Sequence, residues 1–132
     1  MVFREQNQYN IYVPISLGEL IDKITILEIK KSYMTEIQLK NVEKELELLK
    51  NILKQNQLDI DIHLIQKLKE VNNKLWGIED LIRRKEIKQE FDKEFIQLAR
   101  SVYKENDRRS YIKKKINHKY NSNLIEEKLY NI

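Results

Sequence analysis

The sequence predicts an all-α fold: an antiparallel bundle of about four main helices with a short N-terminal extended arm and a short C-terminal helix. Three observations point there. Only two glycines and one proline occur in 132 residues, too little turn chemistry for a meander or sandwich. Leu, Ile, Lys and Glu dominate, as in helical proteins. Apolar residues also recur every three or four positions in four runs joined by short connections, which implies antiparallel neighbours. With 41% hydrophobic residues the chain can build one core. Residues 16–132 are therefore expected to form a single helical domain behind an arm of residues 1–15.

Gln8 to Ile15 is β-branched and aromatic and contains Pro14, so it reads as an extended arm or short edge strand. Such a segment should lie against the helices or pair with another chain. Ser16-Leu17-Gly18-Glu19 has the form of a capping box, in which Ser16 accepts from the N–H of Glu19 and the Glu19 carboxylate reaches back. The first helix therefore starts at Ser16. Its stripe Leu17, Leu20, Ile21, Ile24, Leu27 and a second stripe, Ile26, Ile29, Tyr33, make it apolar over much of its circumference, as a central helix is. Ile37, Leu39, Val42, Leu46, Leu49, Ile52 and Leu53 mark a one-sided second helix from about Glu36. Asn56 to Asp61 breaks the pattern, and Asp61 can cap a third helix running through Leu64, Leu68, Val71, Leu75, Ile78 and Ile82 to about Ile87. A fourth begins near Phe91 or Asp92 and carries Phe95, Leu98, Ala99, Val102, Ile112 and Ile116. Asn121-Ser122 then resets the chain into a short helix, Leu124 to Leu129.

Composition removes several function classes. Without cysteine there are no disulfides, thiol nucleophiles or thiolate metal sites, which suits a reducing cytoplasm. No stretch approaches the roughly 18 apolar residues of a membrane span, and Met1 to Asn10 has no secretory apolar run. His63 and His118 have no partner at ligand spacing, and Gly18 and Gly77 are isolated rather than part of a phosphate-binding loop. Glu19 and Asp22, with Glu43 and Glu47, have the spacing of a Mg²⁺ quartet, but the capping box already accounts for Glu19. No cofactor or metal is expected. Net charge is +4, unevenly placed: Arg100 to Lys119 holds eight basic residues against Glu105 and Asp107. That asymmetry suits an anionic partner or a solvated lysine face.

The candidate functional residues are polar groups on apolar faces. Glu28 falls on the Ile21, Ile24 stripe and needs burial with a cation from another helix. Trp76, Glu79 and Arg83 share one face of the third helix, and Gly77 beside them suggests close packing against another helix. In the fourth helix the core stripe is interrupted at Glu105, Asn106 and Arg109. Either the helix leaves the bundle there or a polar pocket is built into it, because an Arg fork beside an Asn amide suits carboxylate or phosphate. The candidate ligand-binding set is Glu28, Glu79, Arg83, Arg100, Asn106 and Arg109, with Arg100 on the flank. Arg108, Lys113, Lys114, Lys115 and Lys119 form a candidate basic patch, which with Tyr103, Tyr111 and Tyr120 could stack and neutralise nucleic acid.

Ser16 to Lys30, Leu98 to Tyr103 with Asn106 to Arg109, then Ile116-Asn117, Ser122 and Glu126 to Lys128 resemble a family of small uncharacterised helical proteins of bacteria and their phages. The resemblance runs from about Val13 to Tyr130, leaves Asn51 to His63 unmatched, and carries over no reaction and no catalytic residue. Three functions compete. The first is binding of a small carboxylate- or phosphate-bearing ligand inside the bundle, with Glu28 or Glu79 orienting the arginines or handling a proton. The second is a non-catalytic interaction module, with oligomer formation through the N-terminal arm. The third is nucleic-acid binding through the basic patch.

Overall fold

The computed structural model describes residues 8–130; the first seven positions of the arm lie outside the described residues. Four helices follow one another: α1 Leu17–Tyr33, α2 Glu36–Gln55, α3 Ile62–Lys88 and α4 Lys93–Lys119. They form the expected all-α bundle, with no strand among the described residues. Helix α1 packs against each of the other three, while α2 packs on α1, and α3 and α4 form the longest helix pair. The central place of α1 follows from its two apolar stripes. Leu20, Ile21, Ile24 and Leu27 meet Val42 and Leu46 of α2, Leu64, Leu68 and Val71 of α3, and Ile112 and Ile116 of α4 in one core.

Side-chain caps set three of the four starts. Ser16 Oγ accepts from Glu19 N at 3.0 Å, Asp61 Oδ1 from His63 N at 2.9 Å and Asp92 Oδ1 from Phe95 N at 3.0 Å. The capping box at Ser16 is only half realised. The Glu19 carboxylate is held by Lys113 Nζ at 2.5 Å rather than turning back on its own helix, because α4 brings that ammonium alongside.

Two expected features change. Leu124 to Leu129 is not helical. Six residues offer too few intrahelical bonds to offset nucleation, and the segment's polar groups are taken by the bundle. Ser122 Oγ accepts from Leu17 N at 3.0 Å, Ser16 Oγ donates to Glu126 Oε1 at 2.5 Å, and Glu127 pairs with Lys114 at 2.7 Å. The result is an irregular strap across the α1 N-terminus and α4. The arm residues Tyr9, Ile11, Tyr12 and Val13 are exposed and do not lie against the helices. No described helix is long and apolar enough to cross a membrane.

Helices α3 and α4 outrun α1. Tyr33, the last residue of α1, stacks on Trp76 with ring centroids 5.2 Å apart. Beyond that level Ile78 is the last buried residue of α3, and Glu105 is the first buried residue of α4. A two-helix hairpin therefore extends past the common core.

Candidate functional site

The site begins with a stripe on α1 made of small and polar residues, Gly18, Asp22 and Thr25, three or four positions apart and turned toward α3 and α4. Gly18 is there because α4 comes too close for a side chain. A Cβ would sit 2.6 Å from the Lys113 carbonyl oxygen, and the Gly18 N–H donates to Asn117 Oδ1 at 2.7 Å. One turn later stands Asp22, fully buried. Its Oδ1 accepts from Arg109 Nε at 2.9 Å and from Asn72 Nδ2 at 2.9 Å, and its Oδ2 from Arg109 Nη2. Asn72 Nδ2 also reaches Thr25 Oγ1 at 2.9 Å, whose hydroxyl donates to the Asp22 carbonyl at 2.8 Å. A carboxylate removed from water is tolerable only with such a set of donors, and a two-point guanidinium is the strongest of them. The hydrogen bond to Asp22 holds Arg109 above its already high ordinary pKa, so the guanidinium stays charged.

Beside this strut lies a cleft of about 610 Å³ between α1, α3 and α4. Ile26, Ile29, Leu75 and Trp76 make its apolar wall; Asn72, Glu79, Arg83, Asn106 and Arg109 make its polar one. Four of the six candidate residues thus converge on one concave surface. Asn106 and Arg109 do so because their step of three follows the Val102 stripe, and Glu79 and Arg83 because they share a face with Trp76. Arg109 keeps Nη1 toward Asn106 Oδ1 at 3.5 Å while its other two nitrogens are engaged by Asp22. Among the described residues Glu79 and Arg83 take part in no ion pair, whereas Asp80 of the same wall pairs with Arg84 at 3.0 Å.

The other two candidates lie elsewhere. Glu28 faces α2 and α3, with 29% of its side chain exposed, 3.0 Å from Lys69 Nζ and 3.6 Å from Lys50 Nζ. The cation partner is as expected, but the burial is shallower, because two lysines long enough to reach the rim meet it there. Arg100 is exposed on α4 and outside the cleft lining, since six residues before Asn106 is about 120° around the helix. Gly77 has no neighbour within 4 Å of where a Cβ would be, so it does not mark a packed helix crossing. The basic patch is largely spent internally. Arg108 pairs with Glu105 at 3.3 Å, Lys113 with Glu19, Lys114 with Glu127, and Lys119 with Asp61 at 3.0 Å. Lys115 lies over the Tyr111 ring, 5.6 Å from its centroid.

Asn72 was not among the residues the sequence singled out; Asp22 appeared there only as a possible Mg²⁺ ligand beside Glu19, and Asn117 only in the family resemblance. The signal was present in the 4-3 spacing of Gly18, Asp22 and Thr25, a small and polar seam between two apolar stripes. No curated protein and no solved structure matches the chain. A family model described as "Family of unknown function (DUF6165)" matches residues 11–132, and the chain belongs to that family.

Proposed function

We propose that the protein binds a small ligand bearing a carboxylate or phosphate in the cleft between α1, α3 and α4. The observation that carries this reading is the fixed guanidinium. Asp22 orients Arg109 from below and leaves its Nη1 edge at the cleft beside Asn106, with Arg83 on the facing helix free of any ion pair among the described residues. A donor held in place before a ligand arrives, as Arg109 is, loses little entropy on binding, and an oxyanion can accept from Arg109, Asn106 and Arg83 at once. Trp76, Leu75, Ile26 and Ile29 give the ligand body an apolar surface to cover. Small-molecule clefts commonly combine such a wall with a few convergent polar groups. The nucleic-acid reading has less to stand on, since most of its cations already face carboxylates.

Trp76, the only tryptophan of the chain, lines the cleft and reports directly. Titration with inorganic phosphate, and separately with benzoate as an aromatic carboxylate, should change its fluorescence saturably. Arg83→Ala and Asn106→Ala should each weaken that binding at least tenfold, about 1.4 kcal/mol, with helicity unchanged. If neither probe binds by fluorescence or calorimetry up to millimolar concentration, or if both variants bind as the parent does, the cleft is not an anion site.

A further inference from the structure

The face of the α3–α4 pair that α1 covers near the core continues, uncovered, along the extending hairpin. On α3 it carries Trp76, Glu79, Arg83 and Ile87, and on α4 Asn106, Tyr103, Ala99 and Ile96, all at helical spacing. Trp76, Glu79, Arg83 and Asn106 line the cleft, which fixes the direction of both stripes. Ile87, Ile96 and Tyr103 prolong them and are 82%, 53% and 47% exposed. Two helices alone have no core to bury such residues in, and contiguous exposed apolar surface marks a contact with another molecule.

We propose that this face is the interface of a homodimer, two copies packing hairpin on hairpin in antiparallel sense about a two-fold axis perpendicular to the helices. Self-complementarity of the face identifies the occupant as a second copy. On α3 the two unpaired charges, Glu79 and Arg83, are four apart, so an antiparallel crossing centred on Leu81 sets each against its opposite in the other copy. The same crossing sets Trp76 level with Glu86 of the other copy, one residue from Ile87. On α4 an axis between Gln97 and Leu98 sets Ile96 against Ala99 of the other copy. The two helices agree on one axis. Lys74 pairs with Glu105 at 2.9 Å and Lys85 with Glu94 at 3.1 Å, and these two rungs place Leu81 level with Leu98. A single two-fold operator therefore satisfies the charge pair on α3 and the Ile96–Ala99 contact on α4, as an isologous interface requires. The contact runs about 16 Å along α3, from Trp76 to Ile87, and stops where Tyr33, the last residue of α1, covers Trp76.

The dimer face shares Arg83 and Trp76 with the proposed ligand site: in such a dimer Arg83 faces Glu79 of the other copy, while Asn72, Asn106 and Arg109 on the inner wall of the cleft remain open to an anion. The test is the mass of the full chain in solution, by light scattering after size exclusion over a range of protein concentration. A dimer is expected. Ile96→Asp, outside the cleft, should raise its dissociation constant at least tenfold. Glu79→Arg and Arg83→Glu should each do the same alone, while the doubly substituted chain recovers the dimer because the charge pair is reversed rather than removed. Circular dichroism of each variant should match the parent, these positions being exposed. A monomer at all concentrations overturns the proposal. So does a dimer that tolerates all three single substitutions, including one that dissociates only when Tyr9 to Ile15 of the arm is deleted. Phosphate or benzoate binding that survives Ile96→Asp would leave the cleft reading standing whichever way the dimer test falls.

Discussion

Asp22 and Arg109 meet from positions 87 apart in the chain, the carboxylate without solvent contact and the guanidinium partly open to the cleft. Removing one member of such a pair leaves the other desolvated and unmatched. Arg109→Ala, and Asp22→Ala equally, should each lower the unfolding free energy by about 3–5 kcal/mol in a urea titration, with little further loss when both are replaced. Glu28 makes the contrast. Its two lysine partners are about half exposed, so Glu28→Ala should cost no more than about 1 kcal/mol. Equal losses at Glu28 and Asp22 would contradict the burial that separates them. This difference also decides which residues can test binding: Arg83 and Asn106 can be truncated without exposing a buried charge, and Arg109 cannot.

At the scale of elements, the two glycines do opposite things. Gly18 lets α1 approach α4 until the Lys113 carbonyl would touch a Cβ, so Gly18→Ala should force the helices apart and cost roughly 1–3 kcal/mol. Gly77 has open space around it inside α3, and Gly77→Ala should raise stability by about 1 kcal/mol through helix propensity alone. Thermal or urea midpoints that moved the same way for both would overturn this account. Ser16 caps α1 and also donates to Glu126 of the C-terminal strap. Ser16→Ala should therefore cost about 1 kcal/mol for the cap. The strap's other tie at this end, from Leu17 N to Ser122 Oγ, is untouched by that change.

Across the whole molecule, charge ties the ends of helices together, and this sets the response to pH. The His63 N–H, and then Lys119, hold the Asp61 carboxyl below the usual range; Lys85, and then the Phe95 N–H, do the same for Asp92. A group whose pKa is lower folded than unfolded stabilises above its ordinary value, and that contribution is lost as pH falls through the folded value. The midpoint of thermal unfolding should accordingly be flat through neutral pH and fall below about pH 4. Asp61→Asn and Asp92→Asn together should flatten the acid limb, and an unchanged limb would assign it to other carboxylates. Lys119 is raised by Asp61, so its share persists at neutral pH and is lost only as pH climbs through its raised value above 10.5.

The sequence by itself determined the fold class, the helix starts at Ser16, Asp61 and near Phe91 or Asp92, the central role of α1, and that Glu79 with Arg83, and Asn106 with Arg109, share a face of their own helix. Each of these is a consequence of local chemistry: caps act within four residues, and helical periodicity fixes which side chains share a face. Only the tertiary structure decided which partner each polar residue takes. Glu19 reads as a capping-box carboxylate until α4 brings Lys113 beside it. Lys113, Lys114 and Lys119 read as a free basic surface until α1, the strap and Asp61 arrive. Asp22 reads as a carboxylate with Mg²⁺-quartet spacing beside Glu19 until Arg109 closes over it. Pairings at such sequence distances depend on how helices cross, a matter of packing geometry that no local spacing encodes.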